Sequence, residues 1–138
     1  MKRSLRGTAL MEFALAWPIV LLLVLGTVEL AVWESEATAA RGAALAGARA
    51  GTVAGAGSAV ASQVAIHALS ASLVGVRASA WCPSDPRPAP ALWVCAIDRG
   101  AAVQVDVGGS VPALVPLVPG AGLPLRAHAV LSKEIFVP

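Results

Sequence analysis

The fold is decided by residues 10–33, which read LMEFALAWPIVLLLVLGTVELAVW. No charged residue occurs from Phe13 to Val28, and Glu12 interrupts the apolar run near its start. An α-helix rises ~1.5 Å per residue, so a helix over this stretch is long enough to cross the ~30 Å hydrocarbon core of a bilayer. The stretch therefore predicts one membrane-spanning helix.

Composition and charge placement agree with a single-pass membrane protein. Of the 138 residues, 57% are hydrophobic and 13% are charged, which is too apolar for an ordinary soluble domain. Lys2, Arg3 and Arg6 precede the apolar run, and acidic residues follow it. The positive-inside rule then predicts a cytoplasmic N-terminus in the cytoplasmic (inner) membrane, with everything after Trp33 outside.

A cleaved secretory signal peptide is an alternative interpretation of the same run. The run is longer than the ~7–15 apolar residues of a typical signal peptide, and Glu12 lies where such a peptide should be purely apolar. A small-x-small sequence near Ala37-Thr38-Ala39 could nevertheless be a cleavage site, so this alternative stays open.

The chain divides by composition into four segments. These are a basic leader at 1–7, the transmembrane helix at 8–33, an Ala/Gly-rich helix outside the membrane at 34–73, and a small β domain at 74–138. A helix of mostly alanine leaves little to bury, so we expect segment 34–73 to pack on the outer domain or on other subunits. Its larger apolar residues recur at helical intervals, at Leu45, Val53, Val60, Val64, Leu69 and Leu73.

Three glycines of that helix, Gly47, Gly51 and Gly55, fall four residues apart on one face. Small residues at this spacing let another backbone approach closely, which predicts helix packing there. General Ala/Gly richness of the sequence explains the same three glycines equally well, so both interpretations stay open.

The segment after residue 74 changes to a period of two, which is typical of strands. Strands are predicted at 74–82, 92–97, 101–107 and 123–131, and Val103, Val105 and Val107 should face inward. A proline-rich loop separates the first two, and an irregular connection begins at Gly108. The predicted fold class is α+β, with a long N-terminal transmembrane helix, its Ala/Gly-rich extension and a small antiparallel sheet of three or four strands.

The apolar residues of that last connection could be either core or a contact surface, and the sequence does not separate the two. They are Val111, Leu114, Val115, Leu117 and Val118.

Two cysteines, Cys82 and Cys95, lie in the part assigned to the outside. In an oxidising compartment they can form one disulfide that closes a loop of about 14 residues, worth ~3 kcal/mol. Two independent buried thiols are the alternative. Two cysteines cannot fill a zinc site, and no histidine is near either one in sequence, so no metal is expected.

The sequence contains no catalytic constellation. His67 and His128 have no acid or nucleophile at a suggestive spacing, and GxSxG, P-loop and GxGxxG motifs do not occur. Basic residues after the membrane segment are isolated, which argues against nucleic-acid binding. We therefore predict no enzyme, no cofactor and no nucleic-acid partner.

The most specific motif is RGTALMEFAL at residues 6–15. It resembles the cleavage region of type IV prepilin-like proteins, in which a prepilin peptidase cuts after a glycine on the cytoplasmic side. Within that class the chain looks most like the TadE/TadF-like pseudopilins of the tight-adherence (Flp) pilus system. Phe13 stands where the major pilins of that system carry tyrosine, which favours the minor-pilin branch. Further matches are Pro18 within the run and Gly26, Glu29 and Leu30 at its end.

The resemblance implies a processing site between Gly7 and Thr8, with Glu12 and Phe13 in recognition and assembly. After cleavage, the α-amine of Thr8 would be a cation at the bilayer boundary, and Glu12 of an adjacent subunit an anion in lipid. Pairing them relieves two desolvation costs and sets the stagger between subunits. The alternative for Glu12 is a side chain that snorkels to water at the interface.

The function implied is that of a minor pilin in assembly of an adhesive pilus. Its partners would be a prepilin peptidase, other pilins or pseudopilins, the inner-membrane assembly platform and membrane lipid. Two alternatives from other classes remain, namely an unprocessed single-pass scaffold of a secretion or pilus complex, and a secreted binding module.

Overall fold

Two helices account for the N-terminal half of the chain. The computed structural model describes residues 5–73, 75–114 and 122–133, with side chains from Met11 onward. Helix α1 spans Leu5–Thr52, so the apolar segment continues outward as one helix well beyond Trp33. Helix α2 spans Ser58–Ser72 and packs against α1.

The prediction of a single helix to residue 73 is wrong at residues 53–57. Gly55 lies in this break with a φ of +80°. Glycine adopts that left-handed conformation without the steric cost that a Cβ imposes. The chain therefore turns after Thr52, and α2 folds back along α1.

The described residues form a sheet of four strands in the order of the chain. They are β1 (Ala78–Ala80), β2 (Leu92–Asp98), β3 (Ala102–Pro112) and β4 (Gly122–Ser132). The β2–β3 and β3–β4 pairs are antiparallel, as predicted, whereas β1 pairs with β2 in parallel. The α+β class is confirmed, and the sheet is mixed rather than purely antiparallel. A parallel pair needs a long return connection, and here the proline-rich segment 81–91 supplies it.

Two strand boundaries differ from the predictions. The first strand contains three residues instead of nine, and Val74 lies outside the described residues. Strand β3 continues through Gly108 and Gly109 to Pro112, where an irregular connection was expected. The Trp93 indole lies over Gly108, and a Cβ at this position would overlap the ring. Close packing under the indole, rather than a loop, therefore explains this glycine.

One layer of helix covers one face of the sheet, and the core lies between them. Val103, Val105 and Val107 face inward as predicted, with 0–2% of their surface exposed. The helices contribute mainly alanines. Leu45, Val53 and Val60, three of the larger apolar residues that recur at helical intervals, are exposed. Alanine lets helices and sheet approach closely at little side-chain entropy cost. The helices contribute to the core Ala37, Ala40, Ala43, Ala44, Ala48, Ala61, Ala65 and Leu69, and Leu73 follows directly after α2.

The opposite face of the sheet carries the disulfide. Cys82 and Cys95 are bonded, with their Cα atoms 4.8 Å apart, so the predicted bridge is confirmed and the alternative of two free thiols is wrong. Beside it, Trp81 and Trp93 make an edge-to-face contact with ring centroids 5.4 Å apart. The bridge fastens the start of the proline-rich segment to β2.

Candidate functional site

The apolar half of α1 is exposed along its length. It is long and apolar enough to cross a membrane, and none of its most apolar window is buried by the rest of the chain. Leu15, Leu23 and Leu30, for example, are 62–70% exposed. A surface this apolar is typical of contact with lipid or with other apolar helices. The segment is therefore a candidate membrane span.

The predicted processing and recognition residues lie at the start of this span. Gly7 and Thr8 are in the first turns of α1, and their surroundings lie outside the described side chains. Glu12 is exposed, and among the described residues nothing pairs with its carboxylate. Phe13 is 63% exposed and stacks on Trp17, one turn later, with centroids 5.7 Å apart. The side chains of Glu12 and Phe13 are thus accessible to another molecule.

Among the described residues, two hydrogen bonds join the far end of the span to β4 and to the residues just after β3. The Leu114 backbone N–H donates to Glu29 Oε1 at 3.0 Å. The Trp33 indole N–H donates to the Pro124 carbonyl at 3.1 Å. The sequence pattern marked Glu29 and Trp33 only as the outer end of the apolar run, and no periodicity could have indicated these distant partners.

Two further carboxylates follow Glu29 on α1. Burial raises the pKa of Glu36, and the negative charge of Glu29 adds to this effect. Glu34 pairs with Arg41 at 3.6 Å, with both side chains mostly exposed. An exposed pair of this kind contributes little to stability.

Two of the three predicted packing glycines make close contacts. A Cβ at Gly47 would lie 2.6 Å from the Ala61 carbonyl oxygen, and one at Gly51 would lie 2.8 Å from Val103 Cγ1. Both glycines therefore allow α1 to pack closely against α2 and β3 of the same chain. Gly55 does not belong to this series, because it lies beyond α1 and a Cβ there would meet nothing within 4 Å.

Polar groups on the sheet form surface pairs. Lys133 Nζ lies 2.6 Å from Asp98, and His128 Nδ1 lies 2.5 Å from Asp106. Hydrogen bonding to Lys133 and to a backbone N–H lowers the pKa of Asp98. Within residues 5–73, 75–114 and 122–133, no group of three or more potential metal-ligating side chains occurs.

The comparison with protein families bears on the N-terminal segment. A family described as TadE-like protein matches residues 7–49. This segment is similar to TadE-like proteins. The match begins at Gly7, includes Glu12 and Phe13, and ends within α1, so it covers the candidate span and the first part of the core helix. It is consistent with a membrane-anchored component of the Tad pilus system. No curated protein and no solved structure matches the chain.

Proposed function

We propose that the protein is a minor pilin, or pseudopilin, that takes part in assembly of a Tad (Flp) adhesive pilus. In this proposal a prepilin peptidase cleaves it between Gly7 and Thr8. The observation that carries the proposal is the TadE-like match, which starts at Gly7 and continues along an apolar helix exposed to its surroundings.

Glu12 is the proposed docking residue. Its carboxylate is exposed and has no partner in the described part of the chain, so it is available to a neighbouring subunit. Glu12 lies four positions after Thr8 in the helix, an axial distance of ~6 Å. A neighbour displaced by about one helical turn would bring its free α-amine to this carboxylate. Loss of one partner from a well-buried pair of this kind costs ~3–5 kcal/mol.

The proposed orientation has the N-terminus in the cytoplasm and the sheet outside. The peptidase and the inner-membrane assembly platform would then meet the basic N-terminal end of α1, while other pilins and lipid contact its apolar surface. An oxidising compartment outside suits the Cys82–Cys95 bridge. No catalytic role and no nucleic-acid partner are proposed.

The secreted-module alternative fits the fold less well. Cleavage after Ala39 would remove Trp33, which donates to the Pro124 carbonyl, and Ala37, which belongs to the core. The unprocessed membrane anchor keeps every one of these contacts, so processing is what separates it from a pseudopilin.

The intact mass of the full chain, expressed with and without its cognate prepilin peptidase, tests the proposal. Peptidase-dependent loss of residues 1–7 is expected. Loss of residues 1–39 would instead indicate a secreted module, and an unchanged mass would indicate a permanent anchor. Gly7→Val should block cleavage, whereas the matched control Gly26→Val, in the same helix with open space around it, should be cleaved normally.

A further inference from the structure

Both described ends of the β3–β4 connection are bonded to α1 where its apolar run ends. Leu114, just after β3, donates its backbone N–H to Glu29, and Pro124, near the start of β4, accepts the Trp33 indole N–H. Glu29 and Trp33 are one helical turn apart on the same side of α1. These bonds therefore hold this end of the sheet beside the part of α1 where the apolar segment ends.

The lengths of helix and strand agree with this placement. Gly51 packs beside Val103, and Glu29 bonds to Leu114. From Glu29 to Gly51 the helix extends ~33 Å at 1.5 Å per residue, and from Val103 to Leu114 a strand extends ~36 Å at 3.3 Å per residue. The sheet therefore lies along α1, with the β3–β4 end beside the apolar segment and the β2–β3 turn at the far end.

The surface at the β3–β4 end is apolar and continuous with the candidate span. Leu114 is 60% exposed, and Leu30, next to its bonding partner Glu29, is 62% exposed. An open groove of about 410 Å³ follows α1 from Leu22 to Leu30, with almost entirely apolar walls. No charged residue occurs among the described residues 107–114 and 122–125.

We propose that the β3–β4 end of the sheet, around Leu114, enters the bilayer leaflet at the Trp33 end of α1. This inference rests on the membrane anchoring included in the proposed function. The occupant of this surface is phospholipid, because the surface adjoins the span at the depth where the hydrocarbon meets the headgroups. The sheet then has two contacts with the membrane, through its helix and through the end of β3.

The two hydrogen bonds make such an insertion physically acceptable. A backbone N–H without a partner is costly in lipid, and the Glu29 carboxylate supplies a partner for Leu114. Indoles favour the interface between hydrocarbon and water, where Trp33 would keep its N–H bonded to the Pro124 carbonyl. The Glu29 carboxylate, in turn, accepts a hydrogen bond from Leu114 of its own chain at the boundary between hydrocarbon and headgroups.

Nitroxide labels on the full chain test the inference in phosphatidylcholine nanodiscs loaded with one chain each. Separate Leu114→Cys, Leu22→Cys and Ala101→Cys variants are labelled without reductant, so the native disulfide stays closed. Power-saturation EPR then compares accessibility to oxygen, which concentrates in lipid, with accessibility to a water-soluble nickel chelate. Leu22 reports the span itself, and Ala101 is exposed at the opposite end of the sheet.

The expected result is several-fold greater accessibility to oxygen than to nickel at positions 114 and 22, with the reverse at 101. An aqueous label at 114 with a lipid-exposed label at 22 would overturn the inference and leave the anchor intact. An aqueous label at 22 as well would remove the membrane anchor and the inference together. Protection of 114 from both reagents would mean that protein, rather than lipid, covers this surface, and would also overturn it.

Discussion

Replacing Gly47 with alanine should destabilise the fold, although alanine is the better helix former. The substitution gains ~1 kcal/mol of helix propensity. Against this, the new Cβ would lie 2.6 Å from the Ala61 carbonyl oxygen and 2.8 Å from Ala65 Cβ. Ala61 and Ala65 are fully buried, so α2 cannot retreat without disturbing its own contacts with the sheet. Overpacking of this kind costs ~1–3 kcal/mol, which leaves a net loss of about 1 kcal/mol.

Gly42→Ala is the matched control, because Gly42 lies in the same helix and a Cβ there would have nothing within 4 Å. This variant should gain the full ~1 kcal/mol of propensity. Thermal unfolding of the full chain in detergent, followed by near-UV circular dichroism, measures both. For an outer domain of this size, ~1 kcal/mol shifts the Tm by roughly 4–8 °C. Equal increases in Tm for Gly47→Ala and Gly42→Ala would refute the assigned helix packing.

Two further changes probe the disulfide and the proline-rich segment 81–91. Converting Cys82 and Cys95 together to alanine should lower the free energy of unfolding by ~3 kcal/mol, measured by urea denaturation against the oxidised parent; an unchanged midpoint would contradict the stabilising role of the bridge. Hydrogen bonding to Arg87 lowers the pKa of Asp85 from 3.8 to about 2. Because the folded pKa is the lower one, this stabilisation is complete above the unfolded pKa and disappears as pH falls towards 2. Between the unfolded pKa and pH 2, the free energy of unfolding should fall less for Asp85→Asn than for the parent protein. The same pH dependence in both proteins would contradict the Asp85–Arg87 pairing.

The sequence predicted the parts of the fold that depend on local pattern. The long apolar run of α1 predicted a helix, and the alternation of valines with polar residues over 103–107 predicted a strand. Each prediction was right because burial imposes a period that is readable within a few residues. The bridge between Cys82 and Cys95 followed from the inferred compartment, and the structure contains it.

The errors arose where distant contacts outweigh local pattern. Alternation indicated a strand before Cys82 but could not reveal that β1 pairs in parallel with β2. Gly108 was interpreted as a loop residue, since nothing local shows that the Trp93 ring covers it. The larger apolar residues at helical intervals, such as Leu45, do not all mark the helix core, because close packing selects alanine.

The sequence indicated candidate residues at one end of α1 and not at the other. The motif around Gly7 and Glu12 has a fixed spacing, and the TadE-like match includes both residues. The contacts of Glu29 and Trp33 join positions 85 and 91 residues apart, so no window of sequence contains both partners. Such contacts depend on how the sheet lies along the helix.

The central claim is that Glu12 docks the subunit during pilus assembly, and counting surface pili on cells that carry Glu12→Ala tests it most directly. Glu34→Ala is the matched control, since Glu34 is exposed and makes only a 3.6 Å surface pair with Arg41. We predict that the Glu12 variant inserts into the membrane and forms its disulfide but leaves cells without pili, while the Glu34 variant is piliated normally. Normal piliation with Glu12→Ala would contradict the docking role.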